Sequence, residues 1–213
     1  NSRNVRLLVP CPYVDEYLAE APPVRIDILV SSLKGGGAER VAANLANAWS
    51  ESGNAVRVIL PTMQENVEYH PAPGVDIVSC SQDGRPGLFR RLFRLRRALG
   101  EGNADIVVAI QSNMAIEAAI ASIGLDLRII GCEHNVPAKA VRGRVWNALR
   151  PLAYRKVSAI TALTSGAANE LRVTCPGSRI SVIPNGLRLP LAENSPRINP
   201  EALLPSDAPL LLA

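Results

Sequence analysis

The chain has 213 residues and a formal net charge of +4, and 47% of its residues are hydrophobic, 20% are charged and 4% are aromatic. This composition predicts a soluble globular protein, with one large domain or two small ones and a substantial core. The aromatic residues are too few for the stacking platforms that bind single-stranded nucleic acid, and the mild positive charge is the ordinary sign of a basic surface.

The four cysteines, Cys11, Cys80, Cys132 and Cys175, are far apart, without a C-x-x-C pair or a histidine at ligand spacing. They predict reduced thiols in a cytoplasmic protein rather than disulfides or a zinc site. The sequence also lacks an Asp-x-Asp pair, so we expect no metal site. No apolar run approaches the roughly 20 residues that span a bilayer, and no signal-peptide pattern is present.

The first segment, residues 1–24, combines short apolar runs with several prolines. Prolines at this density isolate a segment from regular structure or confine it to the edge of a sheet. We expect an N-terminal arm outside the main domain and assign it no function.

From Arg25 onward, strand patterns alternate with helix patterns. The pattern predicts strands at residues 25–31, 55–60, 75–79, 105–110, 127–132, 158–163 and 179–183, and helices at 38–52, 87–99, 113–123, 143–155 and 165–174. Such alternation predicts an α/β fold, a doubly wound, Rossmann-like parallel sheet with right-handed crossovers. Functional residues are then expected just after the strands, at the carboxyl edge of the sheet.

A loop with three consecutive glycines, Gly35, Gly36 and Gly37, joins the first strand to the first helix. At such a place the backbone N–H groups of the helix N-terminus favour an anion, and glycines allow close approach. The alternative is a tight turn that only packs the helix on the sheet.

Two known phosphate loops do not fit this segment. The dinucleotide fingerprint requires a third glycine where Arg40 stands, so a nicotinamide or flavin site is disfavoured. In the ATPase loop, a phosphate-binding lysine stands where this chain has Glu39, whose carboxylate would repel a phosphate.

The segment 87–100 is strongly basic, with Arg90, Arg91 and Arg94 among leucines at helical spacing, and Phe89 and Phe93 extend its apolar stripe. One interpretation is a helix that buries the leucines and exposes the arginines to water. The other is a patch that binds anionic lipid headgroups. A second basic cluster favours the lipid interpretation: Arg142, Arg144, Arg150, Arg155 and Lys156. No nucleic-acid motif accompanies the charge, so we expect no nucleic-acid partner.

Two further positions follow predicted strands. His134 and Asn135 come after strand 127–132; a single histidine there is often only a surface or satisfied residue. Ser165 follows strand 158–163, where it is expected to cap the next helix, and Pro184-Asn185-Gly186 is expected to form a turn.

Three motifs occur in order: the loop GGGAER, the His134–Asn135 step, and the run from Thr164–Ser165 to V-I-P-N-G. Together they resemble the amino-terminal domain of B-fold (GT-B) glycosyltransferases of family 4 over about residues 25–186. The resemblance implies transfer of a sugar from a nucleotide sugar to a glycan or lipid-linked acceptor, with retention of the anomeric configuration. It implies neither a cofactor nor a metal.

The resemblance also implies roles for individual residues. His134 reaches the donor sugar and stabilises charge at the reacting centre, while Gly35, Gly36, Gly37 and Asn185 hold the donor and its phosphates. The acceptor groove is then formed by the residues Glu39, Arg40, Asn135, Lys139 and Arg142. For Glu39 and Arg40 the alternative is that they only cap and brace the helix N-terminus.

Residues 187–213 are rich in proline, asparagine and serine and end in an apolar run. We expect a linker and the first strand of a donor-binding C-terminal domain, which the family would place here and which this chain lacks. The 213-residue chain is therefore expected to be inactive alone. A non-catalytic binding module, or half of a sugar-nucleotide epimerase with the same two-domain plan, remains the alternative.

Overall fold

A computed structural model describes residues 22–63, 67–82, 87–134 and 143–186, and for residues 143–147 it describes the backbone alone. The described residues up to Asn185 belong to one compact unit. The arm predicted at residues 1–24 lies almost entirely outside these ranges, and so does the predicted linker at 187–213. The predicted domain boundaries therefore stay predictions.

Seven parallel strands form one sheet, in the spatial order β3-β2-β1-β4-β5-β6-β7. The strands are β1 (Arg25–Leu29), β2 (Ala55–Leu60), β3 (Val75–Ser79), β4 (Ile106–Ile110), β5 (Arg128–Glu133), β6 (Ala159–Ala162) and β7 (Ile180–Val182). The helices of the described ranges are α1 (Gly37–Glu51), α2 (Leu88–Gly102), α3 (Ser112–Ala121), α4 (Gly143–Tyr154) and α5 (Ser165–Thr174).

The two faces of the sheet are covered by different helices. Adjacent residues of β1 show the division, because Ile28 packs with Ala42 of α1, whereas Leu29 packs on the opposite face with residues of α2, α3, α4 and α5. Both side chains are fully buried, and burial of each stabilises the fold by about 1.5–3 kcal/mol. The predicted doubly wound parallel sheet is confirmed. The largest difference in an element is at the end of α2, expected at residue 99 and found at Gly102.

Helix α2 differs from its prediction on its apolar side. Leu95, Ala98 and Leu99 are buried, but Phe89 and Phe93 are 88% and 70% exposed, so the expectation that they extend the buried stripe is wrong. At 100° per residue, the two phenylalanines lie about 120° and 160° around the helix from Leu95. The phenylalanines and Leu95 therefore cannot lie on the same face of the helix.

Two of the three arginines assigned to a lipid patch have contacts within the protein. Arg91 forms a bidentate pair with the buried Glu117 of α3, with N–O distances of 2.9 Å and 2.6 Å. Arg94 donates to the hydroxyl of Ser81 at 2.6 Å. Arg90 is exposed. The expectation of three free arginines is therefore wrong for Arg91 and Arg94, because the buried carboxylate and hydroxyl draw both side chains towards the core.

Candidate active site at the carboxyl edge of the sheet

The candidate site lies at the carboxyl ends of β1, β4 and β5. β1 and β4 are neighbours in the sheet, although the chain passes through β2 and β3 between them. Strand order reverses at this pair, and the loops after β1 and β4 diverge to opposite faces. In open α/β sheets such a switch point forms a crevice in which ligands bind.

The glycine loop after β1 requires glycine at two positions. Gly35 and Gly36 have φ angles of +136° and +123°, values that side chains with a Cβ rarely adopt. A Cβ at Gly35 would lie 2.6 Å from a carboxylate oxygen of Glu68, and one at Gly36 would meet the carboxylate of Glu39. Gly37 begins α1 with open space around it. The loop therefore follows a backbone path that favours glycine, with the carboxylates of Glu68 and Glu39 against Gly35 and Gly36 and open space only at Gly37.

Glu39 occupies the third position of α1 and is 9% exposed. Its carboxylate turns back beneath Gly36 and accepts a hydrogen bond of 3.4 Å from the hydroxyl of Ser32. A carboxylate in the first turn of a helix is stabilised by the helix dipole. Glu39 thus braces the loop, whereas the next residue, Arg40, has an exposed side chain.

His134 follows β5 and is partly buried. Burial lowers the pKa of its imidazole below the usual 6.5, and the nearby Glu39 carboxylate opposes that shift. The histidine is therefore mainly neutral at pH 7, with one ring nitrogen that donates and one that accepts. Because β5 pairs with β4 and β4 pairs with β1, the predicted histidine and the predicted glycine loop lie at the same edge of the sheet.

Gln111, directly after β4, is a residue that the sequence did not single out. It has a φ of +76°, which is unusual for a residue other than glycine. Its side-chain oxygen accepts a 3.3 Å hydrogen bond from the hydroxyl of Ser31, and its backbone N–H donates to the carbonyl of Cys132 at 2.8 Å. Gln111 thus links the ends of β1, β4 and β5. Strained residues with such compensating contacts cluster at functional sites.

A buried polar cluster lies behind the site, and it was also missed from the sequence. Glu133, the last residue of β5, accepts hydrogen bonds from the hydroxyls of Ser112 and Tyr154. Burial raises the pKa of the Glu133 carboxyl, while the hydrogen bond from Ser112 and the charge of Arg150 lower it. Arg150 is buried, and its Nε lacks a hydrogen-bond partner among the residues that the structure describes. The only sequence signal was a carboxylate at the end of an otherwise apolar strand.

The remaining predicted residues are distributed as follows. Thr164, not Ser165, is the N-cap of α5, since its hydroxyl accepts a 3.2 Å hydrogen bond from the N–H of Ala167. The prediction for Ser165 is wrong because Ser165 is already the first residue of the helix. Asn185 is exposed after β7, the edge strand of the sheet. Asn135, Lys139 and Arg142 lie outside the described residues.

The described ranges contain no group of three His, Cys, Asp or Glu side chains placed to hold a metal ion. Within the same ranges, no helix has the length and apolar character needed to cross a membrane. Cys80, Cys132 and Cys175 are free thiols, and burial raises the pKa of each.

One curated protein is similar to this chain in sequence. A curated relative from Campylobacter jejuni subsp. jejuni serotype O:2 is 29% identical over 149 residues, which are 67% of this chain and 41% of the relative. That protein is GalNAc-alpha-(1->4)-GalNAc-alpha-(1->3)-diNAcBac-PP-undecaprenol alpha-1,4-N-acetyl-D-galactosaminyltransferase. The chain thus spans about two fifths of the curated relative that it matches.

Solved structures share the fold. HepE of Anabaena, in complex with UDP and glucose, matches with a TM-score of 0.57 and 17% identity, over 77% of this chain and 45% of HepE. UDP-GlcNAc 2-epimerase of Methanocaldococcus jannaschii matches with a TM-score of 0.50 and 16% identity, over 75% of this chain and 45% of the epimerase.

The family model of Glycosyltransferase Family 4 matches residues 35–189. The match begins in the glycine loop and extends through His134 and Asn185, so it includes all three motifs of the carboxyl edge. The chain belongs to glycosyltransferase family 4.

Proposed function

We propose that this chain is the acceptor-side half of a retaining glycosyltransferase, which transfers a sugar from a nucleotide sugar to a glycan or lipid-linked acceptor. The observation that carries the proposal is the placement of the Gly36 loop after β1 and of His134 after β5 at the same edge of the sheet, beside its switch point. A strand-end crevice with an open helix N-terminus is suited to a phosphorylated ligand.

The glycine loop would hold the donor's diphosphate or sugar through backbone N–H groups. A ligand could approach the loop closely at Gly37, which has open space around it, whereas the carboxylates of Glu68 and Glu39 lie beside Gly35 and Gly36. Backbone N–H groups that are already in position before the reaction stabilise the negative charge that develops on the departing diphosphate. Asn185, exposed beyond β7, would contribute an amide to the same donor.

His134 would act on the donor sugar. Because burial lowers its pKa, the imidazole at neutral pH has an unprotonated nitrogen that can accept a hydrogen bond from a hydroxyl of the sugar without adding a positive charge. A hydrogen bond that strengthens as charge develops at the reacting carbon lowers the barrier to transfer. Glu39, buried behind the loop, holds Ser32 and the helix start in place and biases the histidine electrostatically.

The acceptor would approach from the side of Arg40, which is exposed in the first turn of α1. Asn135, Lys139 and Arg142 complete the proposed acceptor groove. The curated relative is named for an undecaprenol-PP-linked glycan, which supports a lipid-linked acceptor for this chain. The anionic phosphates of such an acceptor would suit the basic side chains of the groove.

The proposal requires a partner for this domain. A donor-binding C-terminal domain would hold the nucleoside across the cleft, and the reaction would need neither a cofactor nor a metal ion. We further propose that the protein is cytoplasmic and works peripherally at the inner face of the cell membrane. We expect the acceptor-side half to be inactive in the absence of a donor-binding domain.

A sugar-nucleotide epimerase is the second candidate, favoured by the fold shared with the Methanocaldococcus enzyme. The two functions differ in their products, because an epimerase changes the nucleotide sugar without an acceptor. The decisive experiment incubates the intact protein with a panel of nucleotide sugars, with and without a lipid-linked pyrophosphoryl glycan. Nuclear magnetic resonance then identifies the product and its anomeric configuration.

We expect acceptor-dependent release of nucleoside diphosphate and a new glycosidic bond with the configuration of the donor. An inverted bond would contradict retention alone. Acceptor-independent change of the sugar would establish the epimerase instead, and turnover of no donor would favour the binding module.

A further inference from the structure

Helix α2 exposes both phenylalanines of the protein. The chain contains only two, and Phe89 and Phe93 are 88% and 70% exposed. They stand one helical turn apart, about 120° and 160° around the helix from the buried Leu95. Leu88, at 43% exposure, adds apolar surface at the start of the helix. An exposed pair of large aromatic side chains is unusual for a surface that faces only water.

The charge around this pair is positive. Of the five arginines of α2, Arg91 pairs with Glu117 and Arg97 pairs with Glu101. The other three have no carboxylate partner among the described residues: Arg90, Arg94 and Arg96. The hydroxyl and carbonyl groups that accept from Arg94 and Arg96 leave their charges uncompensated. Aromatic rings beside uncompensated arginines are the combination that binds the interface of an anionic bilayer.

The topology places this surface near the candidate site. β3 ends at Ser79 on the carboxyl side of the sheet, in register with Leu60 of β2, and α2 begins at Leu88 and returns towards β4. The first turns of α2 therefore lie on the same side of the sheet as the glycine loop and His134. A contact through Phe89 and Phe93 would hold the crevice close to the membrane surface.

We propose that the face of α2 formed by Phe89, Arg90 and Phe93 docks on anionic lipid bilayers, with the two rings inserted at the level of the headgroups. The rings provide the insertion, and the exposed Arg90 between them provides the selectivity for anionic lipid. This reassigns the lipid contact from the arginines to the phenylalanines. Its role in presenting a lipid-linked acceptor rests on the proposed function, whereas the membrane contact itself does not.

Co-sedimentation of the 213-residue protein with vesicles tests the contact. We expect binding to vesicles of phosphatidylglycerol and phosphatidylcholine, little binding to phosphatidylcholine alone, and weakening as salt rises. Phe89→Ser with Phe93→Ser should lower the partition coefficient roughly tenfold or more, because each ring loses its apolar burial in the interface. Val173→Ser is the matched control, since Val173 is 82% exposed on α5, and it should bind as the parent does.

All three proteins should melt at similar temperatures, because the substituted side chains are exposed. Equal binding to neutral and anionic vesicles would overturn the proposal, as would unchanged binding of the double variant. Light scattering tests whether the parent protein self-associates. If it does, and if the double variant does not, the phenylalanines form a contact between two copies of this chain and the membrane proposal is overturned. The vesicle result does not depend on sugar transfer, so the two proposals fail separately.

Discussion

The hydroxyl of Ser112 donates a 2.5 Å hydrogen bond to the carboxylate of Glu133, and this contact fastens the first residue of α3 to the last residue of β5. Tyr154 of α4 donates to the same carboxylate from the other side. His134 is the next residue in the chain, so the backbone from which it projects is held by two helices. The cluster fixes the position of the candidate catalytic residue without facing the crevice.

Removal of this carboxylate should destabilise the fold. Glu133→Ala leaves the buried hydroxyls of Ser112 and Tyr154 without their acceptor, which should cost on the order of 3 kcal/mol in the free energy of unfolding. Ser112→Ala removes one hydrogen bond to a carboxylate and should cost about 1.5–3 kcal/mol. Urea unfolding at pH 7 measures both, with the exposed Ser165→Ala as a control that should stay within about 0.5 kcal/mol of the parent. Parent-like stability of Glu133→Ala would show that the cluster does not hold the strand end.

Protonation of His134 should lower the stability of the protein at acid pH. Burial lowers its pKa in the folded protein, so the unfolded chain binds the proton more readily. The contribution of the neutral imidazole is therefore present above the unfolded pKa of about 6.5 and is lost as the pH falls below it. Thermal unfolding of the parent and of His134→Gln between pH 7.5 and 5 checks this. The variant should lose less stability than the parent over this range, and parallel curves would contradict the assignment.

Glu133 should act in the opposite direction. Its pKa is raised, so its contribution is present below the unfolded value of about 4.5 and falls as the pH rises through the folded value. Because the two groups act in opposite directions, thermal unfolding of Glu133→Gln and of His134→Gln over the same pH range separates the two effects, and identical curves for both variants would contradict the assignment.

The glycine loop offers a matched pair of substitutions. Gly36→Ala places a Cβ against the Glu39 carboxylate at a φ of +123°, so it should destabilise the protein by on the order of 1–3 kcal/mol and weaken donor binding. Gly37→Ala meets open space at the first position of α1 and should leave the free energy of unfolding nearly unchanged. Urea unfolding and titration of the intact protein with a nucleotide sugar measure the two effects. Equal behaviour of both variants would show that the loop conformation is not required.

The arginines of α2 should separate into structural and surface residues. Arg91→Gln leaves the carboxylate of Glu117, which is 3% exposed, without its charged partner and should cost on the order of 3 kcal/mol. Arg90→Gln alters an exposed side chain and should change the free energy of unfolding by less than about 0.5 kcal/mol. A similar loss in both, measured by urea unfolding, would contradict the assigned pair.

Much of the fold could be predicted from the sequence because its signals are local. Buried strands such as β1 and β4 are short apolar runs, and each is followed by a helix start or a glycine turn. The orientation of α2 was harder to predict, since leucines, phenylalanines and arginines alternate along one segment. Only the angular position of each residue around the helix, relative to Leu95, distinguishes the buried face from the exposed one.

The candidate site could be predicted only in part. The Gly36 loop and His134 belong to recognisable sequence motifs, so the sequence predicted that both lie at the carboxyl edge of the sheet. Gln111 and Glu133 carry none, because their contacts are with Ser31, Ser112 and Tyr154, which are distant in sequence. Such contacts become visible only when parallel strands bring their carboxyl ends to one edge.

The kinetic effect of His134→Ala in the intact protein tests the central claim most directly. If the histidine contacts the donor sugar mainly in the transition state, kcat and kcat/KM should fall together by roughly 10²-fold, with KM little changed. The melting temperature should remain close to that of the parent, and His70→Ala, at an exposed position, should match the parent in both measurements. If instead His134→Ala melts several degrees early and its folded fraction transfers sugar at the normal rate, His134 is structural and the account of the site is contradicted.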